Sequence, residues 1–198
     1  MWTFILAVLA FVVGLFLCKV VYVFATASAL PKTRGALFTS TSSVRIKTFL
    51  DAVPMKDGEL LMDIGCGDGR VLRAARKRYG VEALGFEVNL LAYCVARILS
   101  LGRKGIEIRW RDFWHENLRD ADVVFCYLFP DVMTRLAAKL EAELRPGSRV
   151  VSCNFSVPRW NALGVLRPES PCHNDPIYVY RLPDSCSAAK SKSSLPSL

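Results

Sequence analysis

A chain of 198 residues has room for one ordinary domain and an appendage, which leaves out two independent domains. Its formal net charge of +8 suits an anionic membrane surface, nucleic acid or an acidic partner. Seven cysteines are scattered without a C-x-x-C pair, so neither a zinc site nor a disulfide framework is signalled, and they read as reduced, mostly buried thiols.

From Trp2 to Cys18 the chain carries no charge, and after Lys19 the apolar run continues to Leu30. A spanning helix needs about 20 mostly apolar residues and tolerates a lysine near its end. Residues 1–30 are therefore read as one N-terminal transmembrane helix, against the alternatives of a buried core helix or a signal peptide. A cleaved signal would carry positive charge ahead of its apolar run, and none is present here. Lys19, Lys32 and Arg34 lie on the C-terminal side, so the positive-inside rule expects the following domain on the cytoplasmic face of a membrane. That membrane would be a bacterial inner membrane, or a mitochondrial one if the source is eukaryotic.

Residues 31–58 begin as a polar linker and pass into a helix with apolar residues at Val44, Ile46, Phe49, Leu50 and Val53, ended by Pro54. This helix either packs over the edge of a ligand site or simply links. The body is placed at residues 59–183. Its first strand, from Glu59 to Ile64, runs into Gly65-Cys66-Gly67-Asp68-Gly69-Arg70. Three glycines in five residues let the main chain turn sharply and approach a ligand closely. The helix that follows, to about Tyr79, starts with free N–H groups at the same spot, suited to an anionic group. A dinucleotide fingerprint would place its third glycine where Arg70 stands, which weakens that reading. The helix's basic residues, Arg70, Arg73, Arg76, Lys77 and Arg78, read as a solvated face or as a contact with anionic headgroups.

A second strand from Glu82 to Phe86 ends at Glu87, where doubly wound folds place the acid that accepts both ribose hydroxyl protons. A helix from Asn89 to Leu101 has its apolar face at Leu91, Val95, Ile98 and Leu99. A third strand, Ile106 to Trp110, delivers Arg111-Asp112-Phe113-Trp114, in which Asp112 and Phe113 suit an adenine and Asp112 alternatively caps a turn. The continuous apolar run Ala121 to Phe125 is a central parallel strand. It leads to Tyr127-Leu128-Phe129-Pro130 at the switch point of such a sheet, beside the expected reacting centre. A helix from Asp131 to Leu144, a strand from Arg149 to Asn154 and a terminal hairpin at Val165–Leu166 and Ile177–Leu182 complete the body. His115 and His173 form no recognisable motif and receive no role. The Ser- and Lys-rich residues 184–198 are expected to be disordered.

Asp63 followed by Gly-x-Gly-x-Gly resembles the S-adenosylmethionine loop of the Rossmann-like seven-stranded methyltransferases, an α/β sheet with helices on both faces. Adding the anchor, Leu37-Phe38-Thr39-Ser40, Gly85-Phe86-Glu87-Val88-Asn89, Arg111-Asp112-Phe113-Trp114 and Asn154-Phe155-Ser156-Val157-Pro158-Arg159-Trp160, the chain resembles the small membrane-anchored protein lysine methyltransferases. Mitochondrial members of that family methylate the ATP synthase c subunit and the adenine nucleotide translocase. Tyr127-Leu128-Phe129-Pro130 replaces the Asp/Asn-Pro-Pro-aromatic motif of glutamine and nucleobase enzymes, which argues against those acceptors and against nucleic acid as a partner.

The resemblance implies S-adenosyl-L-methionine as cofactor and no metal. Asp63 and the backbone of Gly65, Cys66, Gly67 and Gly69 would hold the methionyl end, Glu87 the ribose, and Asp112 with Phe113 the adenine. Tyr127 and Phe129 would line the acceptor channel, with no general base. A lysine is neutral only about once in 2,500 at pH 7, a handicap of roughly 4.6 kcal/mol, which a dry channel beside a cation lowers. The expected product is a monomeric enzyme acting on a lysine of a membrane protein. The alternatives are a methyltransferase for a lipid or small hydrophobic amine, and an anchored binding module without catalysis.

Overall fold

The computed structural model describes residues 2–33, 41–170 and 174–186, apart from the side chains of residues 21, 22 and 24–33. Seven strands, β1 (Leu60–Ile64), β2 (Glu82–Glu87), β3 (Ile106–Trp110), β4 (Val123–Cys126), β5 (Arg149–Cys153), β6 (Gly164–Leu166) and β7 (Ile177–Arg181), form one sheet in the order β3-β2-β1-β4-β5-β7-β6. Its first five members are mutually parallel, and β7 runs antiparallel to β5 and β6. The order reverses between β1 and β4, so the crevice at their carboxyl ends is where an open α/β sheet accepts a ligand.

Parallel strands covered on both faces need apolar residues at successive positions. Val123, Val124, Phe125 and Cys126 of β4 are accordingly all buried. On one face Leu61, Val123, Phe125, Val151 and Cys153 pack with α2 (Ser43–Ala52), through Phe49 and Leu50, and with α3 (Arg70–Tyr79), through Leu72 and Ala75. The other face carries Met62, Ile64, Val124, Cys126 and Val150 against Met133, Leu136 and Leu140 of α5 (Pro130–Glu143), together with Trp160 and Tyr180.

The ends of the helices follow from local chemistry. Ser42 caps α2 by accepting from Arg45 N at 3.4 Å. Asn89 Oδ1 caps α4 (Leu90–Leu99) by accepting from Leu91 N at 3.0 Å and Ala92 N at 3.1 Å. At α4 the expected burial is reversed. Ala92 and Ala96 face the sheet, whereas Leu90, Val95, Ile98 and Leu99 are exposed, as is Leu101 beyond the helix. The helix lies close to the body, with Ala96 Cβ 3.5 Å from where a Cβ of Gly69 would stand, and that space admits only small side chains.

The described side chains of helix α1 (Trp2–Thr33) stand outside both apolar clusters. Its segment Trp2–Val20 is long and apolar enough to cross a membrane by length and composition. All of Trp2–Val20 is exposed to solvent, and α1 meets the body at α4. The helix continues through Pro31 to Thr33, three residues into the stretch expected as linker. Leu37-Phe38-Thr39-Ser40 lies outside the described residues, as do His173 and residues 187–198 of the expected tail. The first three tail residues are ordered: Asp184–Cys186 are helical, and buried Ser185 accepts from Arg181 N through Oγ and from Asn161 N through its carbonyl. Those bonds tie them to β7 and to the segment after Trp160.

The basic face of α3 is mostly engaged within the chain. Arg70 pairs with Asp68, Arg73 donates to the Asp68 carbonyl, Arg76 to Gly80 and Val81, and Arg78 pairs with Asp51.

Candidate active site

Past Ile64 the main chain folds over the end of β2, with Gly65 N and Cys66 N both donating to Phe86 O, at 3.0 and 2.9 Å. Gly65, Gly67 and Gly69 have φ of +94°, +57° and +74°, a region in which a Cβ is strained, so glycine is what permits this path. Gly69 then opens α3 as its N-cap. Burial opposes ionisation of Asp68, but the side-chain and backbone bonds from Arg70 outweigh it and hold its pKa below the usual value. Cys66 turns its side chain into the apolar cluster, near the Gly85 position, where burial and then the Asp63 and Glu87 charges push its thiol well up. It presents only backbone to the loop's outer side.

Two carboxylates stand behind this loop. Asp63 pairs with Gly85 across β1 and β2, two residues before Glu87, so both acids lie on the same sheet face at its carboxyl edge. Glu87 is buried and accepts from Gly67 N (2.8 Å), Val88 N (2.9 Å) and Asn89 N (2.8 Å). Burial raises its pKa, and those three bonds offset part of the rise. Asp63 is 2 % exposed, and among the described residues no hydrogen bond reaches its carboxylate. Burial, then the Glu87 and Asp68 charges, push its pKa well above the ordinary range. A buried acid to which no described residue donates, next to a cradle of glycines, fits a ligand that brings both backbone-contacting atoms and positive charge. The ammonium and sulfonium of S-adenosylmethionine meet that description.

Toward β3 the edge opens into a cleft of about 300 Å³ lined by Val88, Trp110, Arg111, Asp112, His115 and Glu116. Asp112, expected at the adenine, lines this cleft and caps the 3-10 turn Phe113–His115 by accepting from Trp114 N at 3.1 Å. The cap engages Oδ1, and the second carboxylate oxygen is compatible with a ligand contact from the cleft. Phe113, expected beside the adenine, instead packs in the second apolar cluster against Trp114. The aromatic wall of the cleft is Trp110, which is half exposed, donates from Nε1 to Val88 O at 3.0 Å and stacks on Tyr93. Its position as the last residue of β3 was the available signal for it, as it was for the neighbouring Arg111. His115 and Glu116 carried no such signal.

On the other side of β1, Tyr127, Leu128 and Phe129 leave β4. Leu128 Cδ2 comes within 3.4 Å of where a Gly65 Cβ would stand, which puts this segment against the glycine loop. Phe129 is exposed at the start of α5. Tyr127 is half-buried, accepts from Arg45 Nη1 at 3.2 Å, and has the Arg45 guanidinium 5.3 Å from its ring centre. Arg45 is itself buried and ion-paired with Asp175. Neither partner was expected at the site. The one visible signal was an arginine between Val44 and Ile46 on a helix that buries its neighbours.

The strand order and the loop define the class: an S-adenosylmethionine-dependent methyltransferase. The fold is similar to that of the RNA methyltransferase from Salinibacter ruber in complex with S-adenosyl-L-homocysteine, with TM-score 0.68 and 29 % identity, covering 74 % of this chain and 95 % of that one. The family model described as the ANTKMT methyltransferase domain matches residues 63–163. A protein-lysine N-methyltransferase of Saccharolobus islandicus is 32 % identical over 147 residues, 72 % of this chain and 91 % of that protein. The adenine nucleotide translocase lysine N-methyltransferase of Mus musculus is 33 % identical over 133 residues, 65 % of this chain, which spans 57 % of that protein's length. The chain belongs to this family of protein-lysine methyltransferases, and its cofactor is S-adenosylmethionine.

Proposed function

We propose that this chain is a membrane-anchored methyltransferase that modifies a lysine of a membrane protein, with its catalytic body on the cytoplasmic side. The observation that carries the reading is α1, whose Trp2–Val20 stretch is apolar and exposed, followed ten residues on by α2, whose Arg45 meets Tyr127 beside the glycine loop. Thr33 and Ser43 are ten residues apart, at most about 33–36 Å of extended chain. Tethering at that range raises the effective concentration of targets in the same bilayer. Helix α4, which α1 meets, supports the placement: Ile98 and Leu101 are exposed on the body with Arg97, Arg103 and Lys104 beside them, a composition suited to an interface of lipid tails and anionic headgroups.

In this reading Asp63 faces the cationic methionyl end, and the backbone of Gly65, Cys66, Gly67 and Gly69 allows its close approach. Glu87 holds the ribose, while Asp112 and Trp110 border the adenine. Bound S-adenosylmethionine supplies an electrophilic methyl group on a sulfonium. The acceptor amine gives up its proton to water before it attacks, and Tyr127 and Phe129 align it. Lowering of the amine pKa comes from desolvation and neighbouring positive charge, without a dedicated base.

The test is incubation of the full-length chain with radiolabelled S-adenosylmethionine and membranes from cells lacking this gene, followed by separation of protein, lipid and RNA. Label on lysines of membrane proteins is the expected result. Label confined to lipid, to RNA or to soluble protein would overturn the reading.

A further inference from the structure

We infer that Asp175, held by the buried Arg45, is the carboxylate that receives the acceptor's ammonium at the mouth of the active site. This rests on the lysine reading above and adds to it a specific binding group. Ile177 lies opposite Cys153 in the antiparallel β5–β7 pair, so the residues just before Ile177 emerge at the edge where β1 and β4 end. Asn154 N donates to Pro176 O at 2.7 Å and pins that segment there. Tyr127 follows β4 at the same edge, and Leu128 reaches the Gly65 position. Arg70 Nη1, from the end of the glycine loop, donates to Thr41 O at 3.3 Å, which brings the start of α2 to the same place. Three segments distant in sequence thus meet beside the loop, and they meet through Arg45, Tyr127 and Asp175.

The chemistry of the cluster is that of a receptor rather than of a clip. Arg45 is 6 % exposed, and its Nε has no hydrogen-bond partner among the described residues, an expensive arrangement on a helix face otherwise made of Ile46, Phe49 and Leu50. A buried ion pair adds little stability compared with apolar residues of the same volume. Asp175, by contrast, keeps 42 % of its side chain exposed. One side of its carboxylate faces Arg45, and lone pairs remain for a second cation from solvent.

A lysine ammonium entering there finds a charged acceptor that is already paired. The trio of Arg45, Asp175 and the ammonium carries a net positive charge, so the amine is oriented without being locked in its protonated form. A lone carboxylate would stabilise the ammonium and oppose its deprotonation.

The experiment uses the full-length chain in detergent, radiolabelled S-adenosylmethionine, and a titrated membrane-protein fraction from cells lacking this gene, with a lysine-blocked portion of that fraction as control. Loss of one charged hydrogen bond predicts that Asp175→Asn raises the half-saturating amount of fraction at least about tenfold. Its affinity for S-adenosylmethionine in calorimetry should stay within about twofold, and Asp175→Glu should restore most of the acceptor affinity. Wild-type acceptor dependence in Asp175→Asn would overturn the inference. So would a parallel loss of cofactor affinity that Asp175→Glu does not rescue, since that is how a purely structural clip behaves. Wild-type labelling that is equal in the blocked and unblocked fractions would bring down the lysine reading, and this inference with it.

Discussion

Asp63 is a carboxylate kept out of water beside two others, and its chemistry predicts how binding responds to pH. In the ligand-free chain its pKa is pushed well above 3.8 by burial and by the Glu87 and Asp68 charges. In the window between the unfolded and folded pKa the native state holds more protons than the unfolded one, so ligand-free stability falls as pH rises through it. A cationic ligand reverses the balance by favouring the ionised form. Cofactor binding should therefore release protons and weaken as pH falls through the raised Asp63 pKa. Calorimetry in buffers of different ionisation enthalpy checks this, and Asp63→Asn should abolish the proton release. Glu87 acts differently, because its bonds to Gly67, Val88 and Asn89 shape the loop before any ligand arrives. Hydrogen bonds to a charged group contribute about 1.5–3 kcal/mol each, so Glu87→Ala should weaken S-adenosylmethionine binding at least about tenfold and lower the thermal midpoint as well. Unchanged affinity would remove Glu87 from the site.

Among the elements, the contact between β2 and the glycine loop is the tightest constraint on the site. A Cβ at Gly85 would lie 2.6 Å from Leu72 Cδ1 and 2.7 Å from Cys66 Sγ, so strand, loop and α3 are spaced for glycine there. Overpacking of this kind costs about 1–3 kcal/mol. Gly85→Ala should lower stability by that amount in urea unfolding, and by displacing Cys66 it should also weaken cofactor binding. Gly67→Val should abolish binding, since its φ of +57° is disfavoured for a branched residue. Near-normal affinity in a folded Gly67→Val chain would sink the assignment of the loop.

For the whole molecule, the exposure of Trp2–Val20 and their absence from both apolar clusters separate anchoring from folding over that stretch of α1. Deletion of residues 1–30 should leave a folded body that binds S-adenosylmethionine with unchanged affinity and shifts from the membrane fraction. Circular dichroism with fractionation decides this, and loss of the folded signal would make α1 part of the core. The exposed face of α4 predicts that the truncated body still associates with anionic vesicles, weakly and in a salt-sensitive way.

Local patterns carried much of the architecture. Apolar runs between turn residues placed β1 to β5 and β7 to within two residues, and three glycines after an apolar strand placed the loop, because period and backbone freedom are properties of neighbouring residues. The distance from the loop to Glu87 was legible for the same reason, since one crossover helix and one strand have a nearly constant length. What the fold alone decided were matters of orientation and of contact between distant segments. Phe113 turned to the core in the 3-10 turn capped by Asp112, whereas Trp110, still on β3, is held at the cleft by its bond to Val88 O and its stacking on Tyr93. Leu90, Val95, Ile98 and Leu99 faced outward because the space beneath α4 admits only Ala92 and Ala96. Arg45, Tyr127 and Asp175 came together only through the sheet order, which sets β7 antiparallel to β5 and brings the start of one strand to the ends of the others. No local pattern encodes such a meeting, because it depends on which strands pair, and pairing is settled by burial of the whole sheet.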